Sequence, residues 1–401
     1  MEVLENIEGE ARSLKGEIGT IVKSLYENPE VSFEEHKTAE TLVRFLHHWG
    51  FHVERGIGGL KTAFIARKTR GRKNPSVGYL AEMDALPQIG HACGHNIVAA
   101  ASLGAAVVLS RVMQKRGVKG SVLCFGTPAE ESGFGKVKLA SEGVFDGLDA
   151  AMMIHPSSRR VVDKGYLALK KVTVTFQGKA AHASAYPEQG INALDALILF
   201  FNSIGLLRQQ LSDDIRVHGI ITEGGVAPNI IPERTSAYFY VRAPSVLSVE
   251  ETARKLRGCA RGAAKATGCK FSVKNLYYTL EPMRINPVLT EIYREGMTRA
   301  GIKEDRVPKD RNLGSSDIGN VSNRVPAIQP LVPIVRGKRV EIHTHQFREA
   351  TVEKDGLRGM MEGVVLLAYT GYRVLADAKL RHKVRKAFHK DRSSEDEKLR
   401  K

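Results

Sequence analysis

Apolar positions recur along the 401 residues with two different periods, and the change of period divides the chain. From Glu10 to Tyr26 and from Glu35 to Trp49 the spacing is helical, with Leu42, Phe45 and Leu46 on one face of the second segment. Short apolar runs then read as strands at Ala63 to Ala66, Val77 to Ala81, Val122 to Phe125 and Ala150 to Ile154, with a long helical run from Ile97 to Met113 among them. This alternation predicts an α/β layer on a mostly parallel sheet. After Gly165 the pattern changes. Val172, Val174 and Phe176 alternate with polar residues, as in a half-exposed strand. A helix (Ala193 to Leu211), two strands (Ile215 to Thr222, Ala237 to Arg242), a helix (Val249 to Ala266) and a strand (Lys270 to Tyr278) follow. The order β-α-β-β-α-β predicts a self-contained ferredoxin-like unit. From about Glu281 the first pattern returns and closes with a helix from Met360 to Ala376. Residues 1–168 and 281–378 are therefore read as one discontinuous domain, 169–280 as an inserted domain, and 379–401 as a basic, frayed or solvent-facing tail.

Composition changes this picture little. With 42% apolar and 26% charged residues, the chain can bury a core, and disorder, a collagen-like fold and a disulfide scaffold are excluded. No apolar run reaches the roughly 18 residues of a membrane span, the longest candidate being the Ala-rich stretch from Ile97 to Leu109. The acidic start, Met1-Glu2-Val3-Leu4-Glu5, does not read as a signal peptide, so a cytoplasmic location is expected. The four cysteines, without a CxxC, read as free thiols or ligands. The net charge of +16 raises the question of nucleic acid. Much of it is local: residues 379–401 hold ten Lys/Arg against four Asp/Glu, and Arg67, Lys68, Arg70, Arg72 and Lys73 cluster in a Gly-containing loop. Neither cluster carries interleaved aromatics, so both are read as solvated, and no membrane or nucleic-acid partner is expected.

Polar clusters lie just beyond the predicted strand ends. Glu82-Met83-Asp84 follows one strand, with His91-Ala92-Cys93-Gly94-His95 shortly after; Glu130-Glu131 follows the next; His155 follows Ala150 to Ile154 directly. Ligands of open parallel sheets bind at such ends. Thiolate and imidazole are the usual zinc donors, and imidazole with carboxylate also suits manganese or cobalt. Two adjacent carboxylates can divide the work, one coordinating metal and the other accepting a proton. Gly314-Ser315-Ser316-Asp317 and Glu341-Ile342-His343-Thr344-His345 continue the polar style, and either histidine of the latter can be a ligand. There is no GxSxG elbow, phosphate loop, complete GxGxxG or HExxH.

These residues resemble the metal-dependent aminoacylase/carboxypeptidase superfamily. The best match is its HACGH branch, on the side of Xaa-Arg dipeptidase and aminobenzoyl-glutamate hydrolase. The resemblance runs in family order through Asn28 to Glu35, Glu82 to Pro87, His91 to His95, Pro128 to Glu131, Gly178 to Ser184, Gly190 to Ala196, Asn229 to Pro232, Gly314 to Ser322 and His343-Thr344. It implies two divalent ions per subunit (zinc or manganese, with cobalt as a further choice). Cys93 would bridge them, His95 and His155 would complete one site, and Glu131 and His343 the other. Glu130 would be the general base, and Asp84 would orient a ligand. His182 would stabilise the oxyanion in the partner subunit's site, while Asn229 and Arg242 would hold the substrate carboxylate. The inserted unit would be a lid and dimerisation domain, giving a homodimer through 169–280. Departures are Asn96 for Asp, Glu82 for Asp, and Gly126-Thr127 for a Gln-containing approach to the turn. The implied activity is hydrolysis of the amide of Xaa-Arg or Xaa-Lys dipeptides. N-acyl amino acids or aminobenzoyl-glutamate are the alternative substrates, and an inactive metal-binding scaffold is the rival of another class.

Overall fold

The computed structural model describes residues 2–131, 134–306, 313–337 and 339–400, as backbone alone at 276, 277 and 391–400. They form two compact units, one of residues up to 165, 284–306 and 320 onward, the other of 166–283 and 313–319. In chain order the strands are β1 (His52–Arg55), β2 (Phe64–Arg70), β3 (Ser76–Glu82), β4 (Gly120–Thr127), β5 (Ala150–Met152) and β6 (His155–Ser157). Then come β7 (Ala168–Gln177), β8 (Arg216–Glu223), β9 (Arg234–Ala243), β10 (Lys270–Leu280), β11 (Ala327–Ile328) and β12 (Leu331–Pro333). The helices are α1 (Glu2–Glu27), α2 (His36–His48), α3 (His95–Arg116), α4 (Gly135–Ser141), α5 (Ala193–Arg208) and α6 (Val246–Thr267). They continue as α7 (Pro287–Arg299), α8 (Ile318–Ser322), α9 (His345–Ala350), α10 (Lys354–Ala376) and α11 (Ala378–Arg400).

The first unit is built on a six-stranded sheet in the order β1-β2-β4-β3-β5-β11. Its centre is parallel, β3 lying between β4 and β5 and β11 adding to β5, while β1 and β2 form an antiparallel edge. Every residue of β3 and β4 is buried, as expected of central strands covered on both faces. Against this sheet lies α3, flanked by α1 and α10. Its small residues allow close approach: a Cβ on Gly104 would stand 2.6 Å from Ile18 and 2.8 Å from Val364. The Ser102 hydroxyl donates to the Leu80 carbonyl at 2.6 Å and ties α3 to β3. The helix runs beyond the apolar stretch read in the sequence. By length and composition it could cross a membrane, but it is enclosed in the core.

The second unit is the β-α-β-β-α-β arrangement, with an antiparallel sheet in the order β10-β7-β9-β8. Its core centres on Phe200, packed against Phe176 and Phe239 at ring separations of 5.8 and 5.4 Å. Asn192 and Ser245 cap α5 and α6, their side chains accepting the amides of Leu194 at 2.9 Å and Ser248 at 3.1 Å.

Two features depart from the pattern reading. Residues 313–319 belong to the second unit, where the Leu167 amide donates to the Gly314 carbonyl at 2.9 Å, although periodicity gave all of 281–378 to the first. The tail is not wholly solvent-facing: α11 buries Val384 and Phe388, and the Asn286 amide group donates to the Val384 carbonyl at 3.0 Å. Apolar residues four apart gave α11 a docking stripe that the surrounding charge concealed. Tail side chains from 391 onward, and Lys401, lie outside the described residues.

Candidate metal centre

The parallel centre of the sheet sets the site. β3 and β4 run in register to their ends, with Glu82 opposite Thr127, so the chain beyond each leaves on the same edge. Asp84 follows β3, the Pro128–Glu131 turn follows β4, and His155 opens β6 just beyond β5. The HACGH segment turns into α3 at Gly94, which has φ +85°. A Cβ there would stand 2.7 Å from Pro156 Cγ. Glycine thus lets Cys93 and His95 converge from either side of the bend. His343 reaches the site from a loop and has φ +63°, uncommon for a residue with a Cβ, its amide donating to the Ala92 carbonyl at 2.9 Å.

The structure brings five proposed ligands together. Ligand atoms of Cys93, His95 and His155 lie within 4.8 Å of one another, as do those of Cys93, Glu131 and His343. Cys93 is common to both triads. Cys93 Sγ is 3.5 Å from His155 Nε2, Glu131 Oε1 is 3.9 Å from His95 Nε2, and Glu131 Oε2 is 3.7 Å from His343 Nε2. Such separations match donors arranged about a cation with bonds of about 2.0–2.3 Å. Glu130 groups with His95 and Glu131 in the same way.

The imidazoles are oriented for ligation. His95 Nδ1 is 2.8 Å from the Asp84 carbonyl and 3.2 Å from its carboxylate, and His155 Nδ1 is 2.8 Å from the Pro156 carbonyl. With Nδ1–H donating to these oxygens, each Nε2 turns a lone pair into the site. Among the described residues, His95 Nε2 and Glu131 Oε1 are buried with no hydrogen-bond partner. Left that way they would carry a desolvation cost, and a divalent cation would satisfy both. The donor set fits a pair of such ions.

Electrostatics agree with a cation. Burial, then the charges of Glu131 and Glu130, push the Cys93 thiol well above its ordinary range, although His95 opposes this. A thiolate there needs positive charge beside it. Burial alone would lower His95, but Cys93, Glu82 and Asp84 outweigh it and hold the imidazole well above its usual value. His155 is lowered to about 4, chiefly by burial. Burial would raise Asp84, yet its contacts with His95, the Glu131 amide and the Ser32 hydroxyl hold it far below the usual carboxylate range.

Three participants had no role assigned from the sequence, although Glu82 and Glu35 stand in the segments that carry the resemblance. Glu82 and Lys136 form a fully buried ion pair at 2.7 Å, and Glu82 Oε2 lies 3.3 Å from His95 Nε2. Glu35 is wholly buried and accepts the Ala129 amide at 2.9 Å. Of the three, only Glu82 directly follows a predicted strand. Asn96, a departure from the family pattern, is buried and donates to Thr351 Oγ1 at 3.0 Å.

The remaining site residues lie on the second unit. His182 Nδ1 accepts the Ala185 amide at 3.2 Å, which leaves the ring proton on Nε2. The Asn229 carbonyl accepts the Ala183 amide at 3.0 Å, close to the bridge between His182 and Ile230. Arg242 donates to Ser315 Oγ at 2.9 Å and lies 5.7 Å from the Tyr240 ring centre.

The profile of the peptidase dimerisation domain matches residues 168–267. The chain is 38% identical to a Mus musculus Xaa-Arg dipeptidase over 392 residues, covering 92% of this chain and 88% of that protein. It is 34% identical to a p-aminobenzoyl-glutamate hydrolase polypeptide of Escherichia coli (strain K12), over 63% of this chain and 56% of that protein. In fold it is similar to a Bacillus subtilis dinuclear metal-binding peptidase of the M20 family, with a TM-score of 0.68 and 22% identity over 91% of this chain and 99% of that one. With its motifs in family order and a relative this similar over nearly its whole length, the chain belongs to the M20 family, the metal-dependent aminoacylase/carboxypeptidase group of peptidases.

Proposed function

We propose that this protein is a metal-dependent dipeptidase that hydrolyses the amide bond of Xaa-Arg or Xaa-Lys dipeptides. The observation that carries the reading is the pair of donor triads sharing Cys93, with the carboxylate of Glu130 beside them. Cys93, His95 and His155 would hold one divalent ion, and Cys93, Glu131 and His343 the other, zinc or manganese being the first choices and cobalt the third. Such a pair would supply Lewis acidity toward an amide carbonyl and make a nearby water more acidic. Glu130 accepts the water's proton and delivers it to the leaving amine. Asp84 keeps His95 oriented and the Glu130–Glu131 turn in place through the amides of both glutamates. His182, whose Nε2 carries the proton, donates to the developing oxyanion, and Asn229 and Arg242 take the substrate carboxylate.

The dipeptide substrate rests on the similarity to the Xaa-Arg dipeptidase; the similarity to the p-aminobenzoyl-glutamate hydrolase polypeptide favours a second reading, an N-acyl amino acid or aminobenzoyl-glutamate amidohydrolase. A cytoplasmic setting and a homodimer through the second unit complete the proposal. The test is a mixed panel of dipeptides and N-acyl amino acids, read by product analysis, with divalent ions counted per subunit. The expected result is cleavage of basic dipeptides with two ions bound. Glu130→Gln is expected to keep both ions and lower kcat by about 100-fold or more. Full turnover in that variant removes Glu130 as the base, and a panel with no product removes the enzyme reading.

A further inference from the structure

The loop at residues 28–35 and the turn holding Glu130 and Glu131 are far apart in the chain, yet two buried carboxylates join them. Glu35 Oε1 accepts the amides of Phe33 and Ala129, both at 2.9 Å, and Oε2 accepts the Thr62 hydroxyl at 2.8 Å. Asp84 takes the next two amides, Glu130 at 3.1 Å on Oδ1 and Glu131 at 2.9 Å on Oδ2, together with the Ser32 hydroxyl at 2.8 Å. Three successive amides, 129 to 131, therefore point at two carboxylates of the protein itself. Ala129 has φ +59°, a left-handed conformation that a residue with a Cβ keeps only where its surroundings impose it. Successive amides about such a residue form a concave donor nest of the kind that binds anions.

The arrangement is expensive. Glu35 is 0% exposed, and burial followed by the charge of Asp84 raises its pKa. Two carboxylates behind one turn repel each other, and the amides they hold are what offset the cost. The beneficiary is the turn, since Glu35 makes its contact one residue before Glu130.

We propose that Glu35 is a positioning residue for Glu130: by holding the Ala129 amide it fixes the left-handed bend, and hence the place from which the base's carboxylate works. This rests on the reading of Glu130 as the base. Glu35→Ala removes the acceptor, whereas Glu35→Gln keeps an oxygen for the two amides and leaves a polar group for Thr62. Ala129→Gly is the complementary change, because glycine adopts this φ without help.

The experiment uses the full chain loaded with metal, for kcat, KM and ion content, and follows amide hydrogen exchange across residues 126–131. Glu35→Ala is expected to exchange about tenfold faster at 129–131. Its kcat is expected to fall about 10- to 100-fold, with KM within about threefold of the parent and both ions retained. Glu35→Gln should stay near the parent in each measurement, and Glu35→Ala/Ala129→Gly should regain most of the lost kcat. Unchanged exchange in Glu35→Ala, or equal losses in the Ala and Gln variants with no recovery in the double variant, overturns the proposal. Amide exchange needs no turnover, so it decides the clamp even where the substrate panel gives no product and the enzyme reading fails.

Discussion

His91 lies 1% exposed beside the candidate metal centre, and among the described residues neither of its ring nitrogens has a hydrogen-bond partner. Burial, aided by the positive neighbours His95 and Arg348 and opposed by Asp84, lowers its pKa to about 3. An unfolded histidine titrates near 6.5. The folded value is the lower one, so the stability His91 contributes is complete above about pH 6.5 and is lost as the pH falls toward about 3. By pH 5 the loss reaches about 2 kcal/mol. In protein stripped of divalent ions, the drop in unfolding free energy between pH 7 and pH 5 should be smaller by about that amount in His91→Leu. Urea titrations at the two pH values measure it, and an equal drop in both proteins refutes it. Sulfur, imidazole and carboxylate just beyond strand ends marked Cys93, His95, Glu131 and His155 as candidates, but the full five-ligand set came from the family resemblance, since the residues alone left open whether His343 or His345 takes part. Glu35, Glu82 and Lys136 were given no role, because they are ordinary charged residues until burial brings each to a specific partner.

At the scale of elements, the bend before α3 places two donors at once. Gly94 combines φ +85° with a Cβ position 2.7 Å from Pro156 Cγ, so an alanine is refused by backbone and by neighbour alike. Gly94→Ala should lower stability by about 1–3 kcal/mol and take ion content below that of the parent, because Cys93 and His95 are displaced together. Thermal unfolding and metal analysis test both; unchanged ion content refutes the stated role of the bend. Periodicity set some long elements closely and others loosely: α3, α6 and β8 to β10 lie within three residues of their expected bounds, whereas α1 and α10 begin eight and six residues before theirs. Short or exposed ones escaped. β1 is an edge of mostly exposed polar residues with no alternation, and β6, β11 and β12 have two or three residues each, too few to show a period.

For the whole molecule, the remaining question is how copies with a net charge of +16 would associate. In the proposed homodimer the second unit would supply the attraction. β8 is the edge of its sheet and exposes Ile220 at 63% and Ile221 at 49%, while α5 exposes Leu206 at 78%. An open, apolar edge strand invites pairing with another chain, and a twofold pairing of the same strand closes the edge on itself. Like charge opposes that pairing, while apolar burial and strand hydrogen bonds favour it and are not weakened by ionic screening. Added salt should therefore tighten the dimer by screening repulsion, the reverse of what an assembly held by ion pairs would show. Light scattering across a salt series should find the parent dimeric and increasingly so at higher ionic strength, with Leu206→Asp/Ile220→Lys at protomer mass throughout. A dimer that dissociates on adding salt, or a double variant that stays dimeric, places the interface elsewhere. Because both substitutions lie within the second unit, a monomeric variant that still holds two ions would separate assembly from metal binding.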